Sequence, residues 1–223
     1  MNYEIITLSD TDYPVLLKKN MGDSAPERLY IRGDRDILNK DSIAMVGSRN
    51  ALEISLLFTD NIVKMACENN KVVVSGFAKG VDQQALSSTI KYGGKSIIVL
   101  PQGISTFHQY FDSNVLVLSI FPPEQGWNTK FAMARNTIIY GLANEVYIAE
   151  SKPYINQFGI ITQGGTWAGA VNGLRKGRKI FIRNPEPHEV NSHPELIKKG
   201  AIPLDMTGKE VETHIRYTQL KAF

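Results

Sequence analysis

Short apolar runs and stretches of helical periodicity alternate through the middle of the chain. Apolar runs rich in β-branched residues predict strands at 43–46, 72–74, 96–100, 115–120, 146–149 and 179–183. Between them, apolar residues recur at helical spacing and predict helices at 54–66, 81–91, 131–142 and 166–176. Strands that alternate with helices in this way are typical of βαβ units. The pattern therefore predicts an α/β fold with a doubly wound, mainly parallel sheet of the Rossmann-like type.

The alternation covers residues 40–184, which we expect to form one Rossmann-like domain. Prolines interrupt residues 1–39, where the run at 29–31 predicts one extra strand in an N-terminal extension. Prolines recur among polar and charged residues in 185–223, and we interpret this segment as a C-terminal capping tail. In doubly wound sheets, ligands bind at the carboxyl ends of the strands. The loops that follow the predicted strands are therefore the candidate sites.

Composition narrows the class of protein. Of the 223 residues, 43% are hydrophobic and 21% charged, as in ordinary globular proteins. The formal net charge of +3 permits an anionic partner without indicating one. The single cysteine, Cys67, excludes an intrachain disulfide and a zinc site built from cysteines. The sequence shows neither a secretory signal nor an apolar run near the ~20 residues of a membrane span. We therefore expect a soluble, cytoplasmic protein that does not associate with membranes.

A glycine-containing loop follows the strand at 43–46 directly and precedes a helix. It contains Gly47, Ser48 and Arg49. Glycine lets the backbone approach a ligand closely, and a helix N-terminus offers N–H groups to an anion. Arg49 adds a forked, permanently charged donor that suits phosphate. We predict a phosphate-binding loop; in the alternative interpretation Ser48 caps the helix and Arg49 is merely solvated.

The loop after the next strand repeats this chemistry. It contains Ser75, Gly76, Lys79 and Gly80 between a strand and a helix. The spacing matches neither a Walker A loop nor a G-x-G-x-x-G fingerprint, so a P-loop NTPase or an NAD enzyme is not supported. We predict a phosphate cradle with Lys79 as its point charge. The alternative is a structural turn in which Asp82 caps the following helix.

Two further polar groups lie at predicted helix starts. The first comprises Lys130, Arg135 and Asn136, and the second is the glycine-containing turn with Gly165 and Thr166. Both could contribute donors to the same sheet edge as the first two loops. We expect the cations of these loops to converge there.

No hydrolytic constellation is present in the sequence. Ser75 lacks the G-x-S-x-G elbow, and the four histidines are scattered, so we predict no catalytic residue, no metal and no cofactor. Trp127 and Trp167 border the candidate loops and could stack on bases, although packing is the alternative role for an isolated tryptophan.

Several short blocks of the sequence stand out by their order and spacing. They are Tyr13-Pro14, Leu29-Tyr30-Ile31-Arg32-Gly33, Gly47-Ser48-Arg49, residues 75–82, Phe131 with Arg135-Asn136 and Ile138, and Gly165-Thr166 with residues 177–181. In this order they resemble the motifs of the DNA-processing protein A (DprA/Smf) family. Several blocks in one order are more specific than any single one. The resemblance extends over about residues 13–184.

The resemblance implies a non-enzymatic protein that binds single-stranded DNA, forms a homodimer and hands DNA to the RecA recombinase during natural transformation. It nominates Ser48, Arg49, Lys79 and Arg135 as pocket residues. Together with the loop chemistry, the predicted DNA- or phosphate-binding residues are Gly47, Ser48, Arg49, Ser75, Gly76, Lys79, Gly80, Arg135, Asn136, Gly165 and Thr166.

The chain departs from the family pattern at several positions. Leu86 replaces the family's histidine, Ile120 replaces a glutamate, and Thr137 replaces the second arginine of its R-N-R segment. Past residue 184 nothing resembles the winged helix that many members carry, and we expect none. These departures leave open a divergent, mobile-element paralogue that keeps the pocket without loading RecA.

A second resemblance leads to an alternative function. Residues 163–170 echo the P-G-G-x-G-T-x-x-E motif of LOG-type phosphoribohydrolases, which belong to the wider superfamily. The motif's proline and glutamate are absent, which removes the expected acid/base group. A nucleotide-binding protein, or one that hydrolyses nucleoside monophosphates, is therefore the alternative, and a purely structural interaction module is a third.

Overall fold

A nine-stranded sheet forms the centre of the computed structural model, which describes residues 3–155 and 161–212. The strands are β1 (Glu4–Thr7), β2 (Arg28–Arg32), β3 (Ser42–Gly47), β4 (Val72–Ser75), β5 (Ser96–Val99), β6 (Val115–Ser119), β7 (Glu145–Glu150), β8 (Pro153–Ile155), β9 (Ile161–Gln163), β10 (Ile180–Arg183) and β11 (Ile202–Leu204). Of these, β8 and β9 form a separate antiparallel pair.

The strand order across the sheet is β1-β2-β6-β5-β4-β3-β7-β10-β11. All strands from β6 to β11 in this order run parallel, whereas β1 and β2 are antiparallel additions at one edge. The chain runs outward from β3 to β6 and then returns to β7 on the other side of β3. The strand order reverses at this point, and a ligand crevice is expected outside the carboxyl ends of β3 and β7.

Helices cover both faces of the sheet. The described helices are α1 (Val15–Met21), α2 (Glu53–Glu68), α3 (Val81–Lys91), α4 (Thr129–Leu142), α5 (Gly165–Arg175) and α6 (His193–Lys198). In β3, Ala44 and Val46 pack in the core with α1, α4 and α5, whereas Ile43 and Met45 pack with α2 and α3. Burial on both faces explains why the strands are continuous apolar runs in the sequence.

The predicted fold class is confirmed. The helix predicted at 81–91 is α3, and the other predicted elements agree to within a few residues at each end. The structure also contains elements that the hydrophobic pattern did not reveal. β11, in the segment interpreted as a capping tail, pairs with β10 and extends the sheet. Pro203 lies within β11, and proline is well tolerated only in an edge strand such as this one. Because proline is otherwise rare in strands, the sequence pattern did not predict β11.

Three strands of the sheet lie outside the predicted domain boundaries. β1 and β2 belong to the first 39 residues and β11 to the last 39, yet all three join the one sheet. The boundaries at residues 40 and 184 stay a prediction, and residues 213–223 of the tail lie outside the described part of the chain. Within that described part, none of the helices has the length and apolar character needed to cross a membrane.

Candidate functional site

A groove lies outside the carboxyl ends of the central strands, where the strand order reverses. It consists of two adjoining cavities of about 320 and 680 Å³, and Arg49, Ala78 and Arg135 line both. The smaller cavity is also lined by Gly76, Phe77, Lys79, Leu100, Pro101, Gln102, Phe107 and Trp127. The larger one is also lined by Val46, Gly47, Ser48, Asp82, Thr129, Ala132, Met133, Asn136, Tyr140, Lys152, Pro153, Gly164, Gly165 and Thr166.

The first two loops pack directly on one another. The backbone N–H of Val81 donates to the carbonyl of Ser48 at 3.3 Å. A Cβ at Gly80 would lie 2.4 Å from that same carbonyl oxygen, and the φ of Gly80 is +82°. A Cβ at Gly47 would lie 2.5 Å from Cγ2 of Val81. Both glycines are therefore required for the close approach of the loops, which places their polar groups on one groove.

Ring packing and a hydrogen bond hold the second loop in a strained backbone conformation. Phe77 has a φ of 64°, in the left-handed region that non-glycine residues rarely adopt. Its ring packs edge-on against Phe107, with the centroids 5.3 Å apart. The Asp82 carboxylate accepts a hydrogen bond from the N–H of Ala78 at 3.2 Å and closes the loop. These contacts preorganise the backbone that faces the groove.

Arg135 forms a buried ion pair at the junction of the two cavities. Its Nη1 lies 3.2 Å from Oδ2 of Asp82, and both side chains are almost fully buried. The guanidinium lies against Gly76, where a Cβ would be only 1.2 Å from Nη1. Gly76 therefore makes room for the guanidinium. Breaking such a pair by removing one partner is costly, so Arg135 has a structural role in addition to the predicted one.

The exposed cations of the groove are Arg49 and Lys79. Neither makes an ion pair with any residue that the structure describes. Lys152 contributes a third cation; its Nζ lies 3.0 Å from Oε1 of Glu150 and donates to the carbonyl of Asn50 at 2.9 Å. Among the described lining residues there are thus four cations, with Arg135 as the fourth, and one carboxylate, that of Asp82. The groove therefore favours an anionic ligand.

The start of α2 contradicts the alternative interpretation of the first loop, in which Ser48 caps the helix. The helix begins at Glu53 with Leu52 as its N-cap, so Ser48 does not cap it; the Ser48 hydroxyl instead accepts from the N–H of Asn50 at 3.1 Å. The N–H of Leu52 donates to Oε2 of Glu150 at 2.9 Å. That N–H therefore already has an anionic partner within the protein, and anion binding by the first loop stays a prediction.

The third and fourth predicted groups meet at the other side of the groove. Arg135 and Asn136 come from α4, and Gly165 and Thr166 form the first turn of α5. A Cβ at Gly165 would lie 3.0 Å from Nδ2 of Asn136, so glycine lets the two helices approach closely. All four residues line the larger cavity.

Some residues singled out in the sequence lie away from the groove. Ser75 is buried, its hydroxyl donates to the carbonyl of Met45 at 2.7 Å, and it lines neither cavity. Lys130 and Trp167 also line neither cavity, whereas Trp127 lines the smaller one and is 53% exposed. No cluster of metal-binding side chains occurs in residues 3–155 and 161–212.

Sequence reasoning missed the roles of two residues: Tyr140, which lines the larger cavity, and Glu150, which pairs with the cavity-lining Lys152. Glu150 is fully buried at the end of β7, where it accepts from Leu52 and from the hydroxyl of Ser55 at 2.8 Å. A carboxylate that directly follows an apolar strand is a signal for such a role. Tyr140 lies on the face of α4 that contacts α5, and no sequence feature distinguishes it from an ordinary core residue.

Comparison with known proteins agrees with this architecture. The DNA processing protein DprA of Streptococcus pneumoniae is 32% identical over 166 residues, which cover 70% of this chain and 55% of that protein. DprA of Bacillus subtilis is 30% identical over 235 residues, which cover 96% of this chain and 73% of that protein. The chain thus spans little more than half the length of the first of these relatives.

Solved structures share the fold. The X-ray structure of DprA from Streptococcus pneumoniae matches with a TM-score of 0.78 and 28% identity, over 92% of this chain and 71% of that one. DprA from Helicobacter pylori, whose structure is described for its single-stranded DNA binding mode, matches with a TM-score of 0.71 and 21% identity, over 91% of each chain. The molybdenum cofactor carrier protein of Chlamydomonas reinhardtii, at 17% identity, a TM-score of 0.53 and coverage of 76% of this chain and 93% of that one, shares the fold alone.

The strongest comparison covers nearly the whole chain. The family model of DNA recombination-mediator protein A matches residues 4–214 and so includes every strand of the sheet and every loop of the groove. A match of this extent, together with the ordered loop blocks and the shared fold, shows that the chain belongs to the DNA recombination-mediator protein A family.

Proposed function

We propose that this protein binds single-stranded DNA in the groove, without catalysing a reaction, and so takes part in DNA processing. The observation that carries the proposal is the convergence of four cations on one groove at the point where the strand order reverses. Two of them, Arg49 and Lys79, are exposed and have no acidic partner among the described residues. Exposed cations of this kind grip the phosphates of a nucleic acid backbone.

Aromatic side chains favour a single strand over a duplex. Trp127, which is 53% exposed, lines the smaller cavity next to the exposed cations, and the more buried Phe77 and Phe107 form part of its wall. Unpaired bases stack on aromatic rings, whereas the bases of a duplex are already stacked and paired. The Helicobacter pylori relative, which is described as binding single-stranded DNA, supports this choice of ligand.

The groove offers little for hydrolysis. The one carboxylate among its described lining residues, Asp82, is already paired with Arg135. Gly169 stands where the LOG-type motif has its glutamate, and it packs against the ring of Tyr140. A general acid or base would need a carboxyl group free to exchange a proton. We therefore propose binding without catalysis, with mononucleotide binding as the alternative.

The family resemblance extends the proposal to the cellular role. It predicts a homodimer in the cytoplasm that passes single-stranded DNA to RecA during natural transformation. Light scattering tests the dimer, and a RecA-loading assay on oligonucleotides tests the hand-off. Each can fail without affecting DNA binding by the groove.

The test of DNA binding removes the two exposed cations. We expect R49Q/K79Q to weaken binding of a fluorescent oligo-dT and to lower the slope of log affinity against log salt by about 1.4, because each lost contact to a single strand contributes about 0.7. The control K18Q/K64Q removes two exposed lysines that line neither cavity, and it should bind as the parent does. Equal affinities and slopes for the two double variants would contradict the proposal.

A further inference from the structure

Tyr140 lies between α4 and α5, one helical turn after Asn136. Its ring rests on the glycines of α5: a Cβ at Gly173 would lie 3.3 Å from Cδ1, and a Cβ at Gly169 would lie 3.2 Å from the hydroxyl oxygen. The ring therefore extends along α5 from Gly173 toward Gly169, and its hydroxyl points toward the N-terminus of that helix. A Cβ at either position would crowd the ring, so the two glycines favour this close packing.

The hydroxyl of Tyr140 has no hydrogen-bond partner among the residues that the structure describes. The residue is only 7% exposed. A buried tyrosine hydroxyl usually has a partner, because burying it without one lowers stability. A phenylalanine would fill the same space without that cost. Burial raises the pKa of Tyr140, so the hydroxyl keeps its proton and remains a donor.

Tyr140 shares the larger cavity with several hydrogen-bond donors. Tyr140 lines the larger cavity together with Asn136, Gly165 and Thr166, and the last two belong to the first turn of α5. The first N–H groups of an eleven-residue helix lack intrahelical partners and favour an anion. The Nε of Arg135, which lines the same cavity, is also buried without a partner among the described residues.

The one carboxylate among the described lining residues is already engaged through one of its oxygens. Oδ2 of Asp82 accepts from both Arg135 and Ala78. Tyr140 and Arg135, each with a buried donor unpartnered among the described residues, therefore line the same cavity as the first turn of α5. A group rich in acceptors, such as a phosphate, is the kind of ligand that such donors bind.

We propose that the Tyr140 hydroxyl donates a hydrogen bond to a phosphate oxygen of a nucleotide held at the N-terminus of α5. Tyr140 is then a residue that determines affinity, retained at a cost to stability. This inference rests on the proposed function of the groove. The phosphate could belong to a DNA strand or to a free nucleotide, and the experiment separates the two.

The test removes a single oxygen atom with Tyr140→Phe. We expect about tenfold weaker binding of oligo-dT, the loss typical for a hydrogen bond to a charged group, together with an unchanged or higher melting temperature. The control is Tyr13→Phe, because Tyr13 is equally buried but donates to the carbonyl of Pro26 at 2.8 Å. The control should show the reverse: a lower melting temperature and unchanged DNA affinity.

The arms of the experiment are oligo-dT, dTMP and inorganic phosphate, each titrated against the parent protein and Y140F. Weaker binding of oligo-dT alone assigns the phosphate to a strand, and weaker binding of dTMP as well assigns it to any nucleotide; both support the contact.

If the parent binds oligo-dT and Y140F binds every ligand as tightly as the parent does, the inference fails and the proposed function stands. If the parent binds dTMP but not oligo-dT, and Y140F weakens dTMP binding, the proposed function fails and the Tyr140 contact stands.

Discussion

The guanidinium of Arg135 occupies the space that a side chain at Gly76 would need. A Cβ on Gly76 would lie 1.2 Å from Nη1 and 2.0 Å from Cζ of Arg135. The two residues are far apart in the sequence, and Gly76 follows directly after β4 whereas Arg135 belongs to α4. Because Gly76 has no side chain, the loop after β4 leaves room for the guanidinium that comes from α4.

Gly76→Ala should displace the guanidinium and separate it from Asp82. We expect a loss of about 3 kcal/mol in the free energy of unfolding, because the pair is buried and its charges would lose their partners. Urea denaturation measures this loss. The control is Gly126→Ala, where a Cβ would meet nothing within 4 Å, and its effect should stay within about 0.5 kcal/mol. Equal effects of the two substitutions would mean that Arg135 moves aside without cost.

Gly80→Ala should disrupt the contact between the first two loops. The φ of Gly80 is +82°, and the new Cβ would lie 2.4 Å from the rigid carbonyl oxygen of Ser48. Gly93→Ala is the matched control, since its φ is +65° but a Cβ there has nothing within 4 Å. We expect about 1 kcal/mol for Gly93→Ala from backbone strain alone and at least about 3 kcal/mol for Gly80→Ala. If thermal unfolding gives the same loss for both, close loop packing is not what requires glycine at 80.

His193 should make the stability of the fold depend on pH. The residue is fully buried; Nδ1 faces the carbonyl of Arg183 at 2.7 Å, and Nε2 accepts from the N–H of Ser151 at 3.0 Å. Burial lowers the pKa of His193 from 6.5 to about 4. Between pH 6.5 and about pH 4, His193 binds a proton in the unfolded chain but stays neutral in the folded protein. Stability is therefore highest above pH 6.5 and should fall by about 3 kcal/mol as the pH drops to about 4.

Urea denaturation between pH 4 and 7.5 checks this dependence. His193→Gln removes the titrating ring and should flatten the curve relative to the parent, even if the variant is less stable at every pH. His188→Gln, at an exposed histidine, should keep the parental curve shape. A parental pH dependence in His193→Gln would show that other groups are responsible.

Local pattern was sufficient for most of the fold but not for the side-chain pairing in the groove. The run at 43–46 and the helix at 81–91 follow from periodicity that any window of the sequence reveals. The pairing of Arg135 with Asp82 depends on which strands are neighbours in the sheet. The local hydrophobic periodicity does not predict that strand order. The hydroxyl of Ser75 shows the same limit, because a strand-end serine can face either a ligand or the next strand.

Burial of charge was the least predictable feature. Glu150 follows an apolar strand, and its carboxylate binds the start of α2 and lies beside Lys152. From the sequence alone, a free helix N-terminus after Gly47 was the simpler interpretation. The register of β3 shifts against β7 between Val46 and Gly47, which places Gly47 opposite Glu150. Such an irregularity depends on tertiary packing and has no signature in either segment.

The two cavities share Arg49, Ala78 and Arg135, so they are neighbours at contact distance. A ligand long enough to reach both makes its second contact as an intramolecular event, at a high effective concentration. Two weak half-sites then combine into an avidity that neither possesses alone. Under the proposed function we therefore expect the groove to bind longer ligands more tightly, because a fragment that fills one cavity makes only part of the contacts.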